Sequence, residues 1–273
     1  MKLRILTGLP LALAVVYLIV QKREWLFVLA VLVTLEISLH EFFDISRQAG
    51  LRSYPFLGYV GGGLLCLSQV ADLHGMTFNE SSALLLVLLG ISALGLLMVS
   101  NLKEYLGTLA STMLGVFYVA FAFSWLVPLR FASPAVGRNL VLLLFAVIWA
   151  DDIFAYAVGR LAGRTLLAER ISPRKTVEGA VAGLAGAMLV AWGFTHWFWQ
   201  TADQKTVILI AGVVAVAGQA GDLVESAFKR AAGLKDSGTI IPGHGGMLDR
   251  IDSLLFGAPA LWLAWNLKDL WRR

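Results

Sequence analysis

Charged residues and glycines are concentrated in residues 226–252 of an otherwise apolar chain. Carboxylates suit a hard cation, Lys and Arg suit phosphates, and glycines allow the backbone to approach an anion closely. Charge at the edge of a bilayer is costly, so this concentration predicts a functional site for cation-assisted phosphate chemistry. The segment contains Lys229, Arg230, Lys235, Asp236, a Gly-His-Gly-Gly run starting at Gly243, Asp249, Arg250 and Asp252.

A polar stripe precedes this segment. Asp222, Glu225, Ser226 and Lys229 are spaced at i, i+3, i+4 and i+7, so in a helix they share one face. Such a face could simply be solvated. Because it continues an apolar run and leads into the glycine-rich segment, residues 233–249, we predict that it belongs to the site.

Two aspartates at the start of the last apolar run suggest a metal site. One acid at a helix start is favoured electrostatically whatever its function. Here two acids, Asp249 and Asp252, lie on either side of Arg250, which is more charge than helix capping requires. We predict that Asp222 and Asp249 converge on a shared cation. Mg²⁺ is the natural candidate because it accepts one or two carboxylates, and zinc is disfavoured without a Cys or His cluster.

The Gly-His-Gly-Gly run lacks side chains where backbone N–H groups could face a phosphate. His244 within it could be a general acid, a phosphate donor or a turn residue. A phosphate contact is favoured, since chemistry at a phosphate requires charge neutralisation more than a base. Gly245 and Gly246 are predicted to contribute backbone to the same site.

A second loop is also rich in reactive residue types, from Asp151-Asp152 to Gly179. Ser172 is predicted to be a helix N-cap and Pro173 the first helical residue. Arg174 and Lys175 would then lie near a helix N-terminus, where the dipole disfavours cations but attracts phosphate. Both are candidate phosphate ligands.

The elements that must position these residues are membrane spans. With 58% hydrophobic residues and a mean hydropathy of +0.76, the chain is predicted to be an all-α, polytopic integral membrane protein. Two spans are predicted to end early at acids, Asp151-Asp152 and Asp222, and such short spans predict a polar cavity entering the membrane. About nine spans are expected, at 5–20, 25–43, 55–71, 81–99, 106–127, 138–150, 177–199, 206–221 and 251–267.

The distribution of Lys and Arg predicts that the site loops face the cytoplasm. Basic loops beside anionic lipid explain the pI of about 9.3, so no nucleic-acid partner is expected. Residues 1–140 are predicted to be a scaffold and 141–273 a catalytic region. The first apolar run is expected to be a retained span, and Cys66 alone excludes an internal disulfide. Gly179, Gly183 and Ala187, spaced in fours, predict close helix packing.

Residues 226–252 resemble the signature of the phosphatidate cytidylyltransferases. The shared pattern is S-x-F-K-R, four residues, K-D, then G, two residues, I-P-G-H-G-G, two residues and D-R-x-D, with every spacing intact. Residues 221–225 and 171–179 are similar to the family too. The resemblance covers roughly residues 140–260, whereas the N-terminal half matches only in hydropathy.

The resemblance implies that CTP and phosphatidate give CDP-diacylglycerol and pyrophosphate in phospholipid biosynthesis, with Mg²⁺ required and a second cation possible. It implies Asp222 and Asp249 as metal ligands, with Asp236 or Asp252 as additional or supporting ligands. The implied catalytic set also contains Lys229, Arg230, Lys235, His244 and Arg250. The implied substrate-binding set is Ser172, Arg174, Lys175, Asp152, Ser226, Asp236, Gly245, Gly246 and Asp252.

Two other functions stay open. A sister enzyme could activate another membrane lipid phosphate with CTP, such as an isoprenoid phosphate. A secondary transporter could use Asp152, Asp222 and Asp249 as an ion relay, although it should show internal repeats and acids deep inside its spans. The resemblance also suggests a homodimer, and the short chain suggests a bacterial inner-membrane enzyme.

Overall fold

Helix dominates the chain, as predicted. The computed structural model describes residues 2–21, 23–73, 80–241, 243 and 245–268. The only strands in this described part, β1 Leu166–Ala168 and β2 Ser172–Thr176, form an antiparallel hairpin that pairs Leu166 with Thr176. The α-helices are α1 Lys2–Val20, α2 Glu24–Gln48, α3 Pro55–Leu73, α4 Glu80–Met98, α5 Leu102–Gly115, α6 Ala122–Ser124, α7 Leu126–Phe131, α8 Pro134–Ala162, α9 Val177–Trp197, α10 Gln204–Ala231 and α11 Leu248–Asn266; a π-helical stretch, Val116–Phe121, separates α5 from α6.

Six helical segments of the described chain are long and apolar enough to cross a membrane, so this is an integral membrane protein. Two further apolar helices, Gly8–Val20 and Pro55–Ala71, are shorter. The predicted count of nine spans is therefore not confirmed. The six segments are Glu24–Gln48, Glu80–Met98, Leu102–Phe131, Val136–Ala162, Val177–Trp197 and Gln204–Ala231.

The two spans predicted to stop early at carboxylates do not stop there. Helix α8 continues past Asp151 and Asp152 to Ala162, and α10 continues past Asp222 to Ala231. The acids are tolerated inside helices because polar side chains form hydrogen bonds with them. Gln219 Nε2 donates to Asp151 Oδ1 at 2.7 Å, and Lys175 donates to Asp222. The prediction of one polar helical face from Asp222 to Lys229 is confirmed in that α10 is continuous over these residues.

The predicted start of α9 is also wrong. Ser172 and Pro173 lie in β2, and the helix begins at Val177 with Thr176 as its N-cap. Thr176 Oγ1 accepts a hydrogen bond from Gly179 N at 3.1 Å. A residue before proline is biased towards extended backbone, and here the hairpin uses that bias instead of a helix start.

Two compact units make up the chain. The first comprises Met1–Ala132 and Phe228–Ile251. Its core includes Leu65, Val87 and Val116, all buried among neighbouring helices. The Phe228 ring meets the rings of Phe42 and Tyr118 with centroids 5.7 and 5.1 Å away, which packs the end of α10 within this unit.

The second unit comprises Ser133–Ala227 and Asp252–Arg273. Helices α8 and α9 approach so closely that a Cβ added at Gly179 would lie 2.8 Å from Ala155 O. A Cβ at Gly183 would lie 2.5 Å from Asp151 Oδ1, and Ala187 is fully buried. The close packing predicted from these three small residues is confirmed.

Candidate active site

A cavity of about 640 Å³, lined by charged as well as apolar residues, lies in the second unit. Acids and bases line it together, a composition suited to a charged ligand with a cation. Apolar and small residues of α8 and α9 complete its wall. The charged and amide side chains that line it are Asp151, Asp152, Arg160, Arg174, Lys175, Gln219 and Asp222.

Lys175 and Asp222 form an ion pair in this cavity. Asp222 Oδ1 also lies 3.3 Å from Ser226 Oγ, one turn further along α10. Both side chains of the ion pair keep about a third or less of their surface exposed, so a ligand entering the cavity could reach them. A cation and a carboxylate, each partly open, can contact a phosphate and a metal ion respectively.

The β-hairpin holds Lys175 in place. Glu178, in the first turn of α9, accepts hydrogen bonds from Arg164 N at 3.1 Å and Thr165 N at 3.2 Å. These bonds tie the start of the hairpin to the helix that follows it. The strand β2 therefore presents Ser172, Arg174 and Lys175 to the cavity, although not through the helix N-terminus that the sequence suggested.

Gln219 is a cavity residue that sequence reasoning missed. It donates to Asp151 Oδ1 and, at 3.0 Å, to Ala180 O, and so bridges α8, α9 and α10. Asp151 itself is buried at the helix contact. A single Gln inside an apolar run is a signal that could have marked this position, because buried amides need partners.

In the first unit, Asp249 collects hydrogen bonds at the start of α11. Lys229 Nζ lies 2.5 Å from Oδ1, while the Ser237 and Gly246 amides donate to Oδ2 at 2.9 and 2.8 Å. Burial alone raises the pKa of Asp249, but the bonds from Lys229, Gly246 and Ser237 outweigh it and lower that pKa below its usual value. Asp249 is therefore an ionised carboxylate held in one orientation.

Glu41, on α2, is a second residue that sequence reasoning passed over. It is 3% exposed and accepts bonds from Ser237 Oγ, Met247 N and Leu248 N at 2.8 to 2.9 Å. Its chain position, in the scaffold half, gave no sign of this contact. The side chain nevertheless anchors the glycine-rich segment at Ser237 and at residues 247–248, within the first unit.

Comparison with known proteins identifies the family. The family model described as "Cytidylyltransferase family" matches residues 2–267. This chain belongs to the cytidylyltransferase family.

Several proteins similar to this chain carry the name phosphatidate cytidylyltransferase. The protein from Synechocystis is 33% identical, over 87% of this chain and 87% of its own. The Staphylococcus saprophyticus protein is 33% identical over 96% and 97%, and the Thermotoga maritima protein is 32% identical over 76% and 77%. The similarity therefore extends well beyond the glycine-rich segment into the N-terminal half.

The remaining predicted site residues are divided between the two units. In the first unit, Arg230 is exposed and donates to Leu234 O at 2.8 Å, while Gly245 has a left-handed φ of 84°. Lys235, Asp236 and Arg250 are exposed there. In the second unit, Asp152 is exposed and Asp252 is partly buried. His244 lies outside the described residues.

The donor chemistry of Asp222 and Asp249 fits a hard cation. Each carboxylate holds a lysine ammonium in this structure, so each attracts positive charge. Among the described residues, no group of three or more His, Cys, Asp or Glu side chains forms a ready metal cluster. Mg²⁺ does not require one, because phosphates and water usually complete its coordination.

Proposed function

We propose that this protein transfers CMP from CTP to phosphatidate, giving CDP-diacylglycerol and pyrophosphate for phospholipid biosynthesis. The observation that carries the proposal is the near full-length similarity to proteins named phosphatidate cytidylyltransferase. The cavity with Lys175, Arg174 and Arg160 beside Asp222 supports it, because both substrates are anions. Lysine and arginine lower the repulsion between them.

The reaction needs little proton transfer. An oxygen of the phosphatidate phosphate forms a bond to the α-phosphorus of CTP, and the bond from that phosphorus to the bridging oxygen breaks as pyrophosphate leaves. A phosphate monoester is already anionic near neutral pH. The protein therefore has to orient the two phosphates in line and offset their charge.

The residues divide these tasks. Lys175, Arg174 and Ser172 on β2 would hold phosphates in the cavity, and Lys229, Arg230, Lys235, His244 and Arg250 would serve the same purpose from the glycine-rich region. Asp222 and Asp249 would hold Mg²⁺, which supplies positive charge at the nucleotide phosphates when bound.

The location follows from the substrates, since the lipid arrives through the bilayer and CTP from the cytosol. We propose a homodimer in the bacterial cytoplasmic membrane, with the site loops on the cytoplasmic side. The excess of Lys and Arg in those loops supports this orientation.

A cysteine placed at the exposed hairpin turn by Glu169→Cys, with Cys66→Ala, should react with an impermeant reagent in inside-out vesicles only. The mass of the detergent-purified protein tests the dimer.

The deciding experiment uses purified protein with CTP labelled in its cytosine, Mg²⁺ and phosphatidate. Label entering the lipid phase only when both phosphatidate and Mg²⁺ are present supports the proposal. Transfer with an isoprenoid phosphate but not phosphatidate would assign the sister activity instead. Folded protein that labels neither lipid would overturn the proposed function.

A further inference from the structure

A buried carboxylate outside the predicted catalytic region contacts the glycine-rich segment directly. Glu41 accepts three hydrogen bonds from that segment, one from the Ser237 hydroxyl and two from the Met247 and Leu248 amides. A buried charge is costly unless it is well hydrogen-bonded, and these bonds provide that compensation. Glu41 therefore joins residue 237 to residues 247–248 across the loop between them.

Glycines of the segment leave room for this carboxylate. A Cβ added at Gly246 would collide with both Glu41 and Ser237, and one at Gly238 would lie 3.0 Å from the Glu41 carboxyl carbon and closer still to its Oε1. Both positions thus require glycine because Glu41 occupies the space. Their absence of side chains is explained without a bound phosphate.

The contact reaches Asp249 through Ser237. The Ser237 hydroxyl, which donates to Glu41, accepts from Asp249 N at 3.3 Å, and the Ser237 amide donates to Asp249 Oδ2 at 2.9 Å. The same Oδ2 accepts from Gly246 N. Movement of Ser237 would therefore change both the backbone and the carboxylate of Asp249.

We propose that Glu41 is a positioning residue, which holds Ser237 and residues 247–249 so that Asp249 and Lys229 are oriented for the metal-bound nucleotide. The role rests on the proposed function, because it assigns a substrate to Asp249. The role assigns Glu41 no contact with substrate, because its carboxylate is buried and accepts bonds from the segment. Glu41 acts by anchoring the segment that ends in Asp249, the carboxylate that pairs with Lys229.

The test compares Glu41→Gln with Glu36→Gln, which makes the same change on the same helix, outside this network. An amide at position 41 turns one acceptor into a donor that faces backbone N–H groups. We expect the KM for CTP to rise about tenfold or more in Glu41→Gln, since a lost charged hydrogen bond has that effect. The KM for phosphatidate should change less than about twofold. Glu36→Gln should leave both KM values unchanged.

Hydrogen exchange measured by mass spectrometry supplies a readout that does not need activity. Glu41→Gln should speed exchange in peptides covering 237–249 and leave those of α3 and α4 unchanged. Faster exchange throughout the first unit, or a lower active fraction with an unchanged KM for CTP, would show a general structural role and overturn the proposal.

Ser237→Ala provides a second variant if Glu41→Gln does not fold. It removes the hydroxyl between Glu41 and Asp249 and should raise the KM for CTP in the same direction. An unchanged KM for CTP in folded Ser237→Ala would overturn the proposal. If the wild-type protein makes no CDP-diacylglycerol, the proposed function fails, while the exchange measurement still decides whether Glu41 holds the segment.

Discussion

Lys229 and Asp249 form a buried ion pair, with Nζ and Oδ1 2.5 Å apart and side chains 10% and 6% exposed. The pair links the last turns of α10 to the first turn of α11 within the first unit. Because water is largely excluded, each charge depends on the other for compensation. The same two residues are proposed to act on substrate, so changes to this ion pair should affect both the stability of the protein and its activity.

Breaking this pair from one side should destabilise the protein. Lys229→Met leaves the Asp249 carboxylate buried without its ammonium, and we expect a loss of about 3 kcal/mol in the free energy of unfolding. Adding Asp249→Asn to Lys229→Met should recover part of that loss, because the uncompensated charge is removed. Denaturant unfolding of the single and double variants in detergent measures this. Strictly additive losses would contradict the ion-pair interpretation.

Asp222 should be needed for turnover rather than for folding. Asp222→Asn keeps the shape but removes the charge that pairs with Lys175 and is proposed to bind Mg²⁺. We expect CTP-dependent labelling of phosphatidate to fall by about a hundredfold or more. Glu169→Gln, an equivalent change at the exposed hairpin turn, is the matched control and should retain full activity.

Thermal unfolding of Asp222→Asn should stay within a few degrees of the wild type, because the carboxylate is partly exposed. A variant that keeps most of its activity would remove Asp222 from the proposed metal ligands. A variant that unfolds instead would show that its pairing with Lys175 is mainly structural.

The close contact between α8 and α9 should be sensitive to one methyl group. A Cβ at Gly183 would lie 2.5 Å from Asp151 Oδ1 and 2.9 Å from Asp151 O, so Gly183→Ala must push the helices apart. We expect a loss of about 1–3 kcal/mol in stability. Gly90→Ala on α4, where nothing lies within 4 Å of the new Cβ, should be neutral or slightly stabilising. Equal melting temperatures for the two variants would contradict the packing shown here.

Local patterns explain what the sequence revealed. The spacing of Gly179, Gly183 and Ala187 predicted the α8–α9 packing because small residues on one helix face permit close approach. The polar face from Asp222 to Lys229 was visible because residues three, four and seven positions apart share one face of a helix. Hydropathy located most helices, but it could not find where they end, since a polar residue inside α8 or α10 is stabilised by partners elsewhere in the chain.

Long-range contacts explain what the sequence did not reveal. Glu41 and Ser237 are 196 positions apart, and Gln219 and Asp151 are 68 apart, so no spacing rule could pair them. Ser172-Pro173 resembled a helix start, yet the pairing of β1 with β2 competes with that local preference. The true cap, Thr176, became recognisable only once the strand was known.

The cap at Thr176 should matter for both stability and activity, because it ends the strand that carries Lys175. Thr176→Val keeps the size but removes the oxygen that accepts from Gly179 N, and about 1 kcal/mol of stability should be lost. The looser junction should also raise the KM for CTP, since Lys175 lies one residue before it. Thr176→Ser retains the oxygen and should behave like the wild type in thermal unfolding and in the labelling assay. If Thr176→Ser were impaired as much as Thr176→Val, loss of the cap could not be the cause, because serine keeps the oxygen that accepts from Gly179 N.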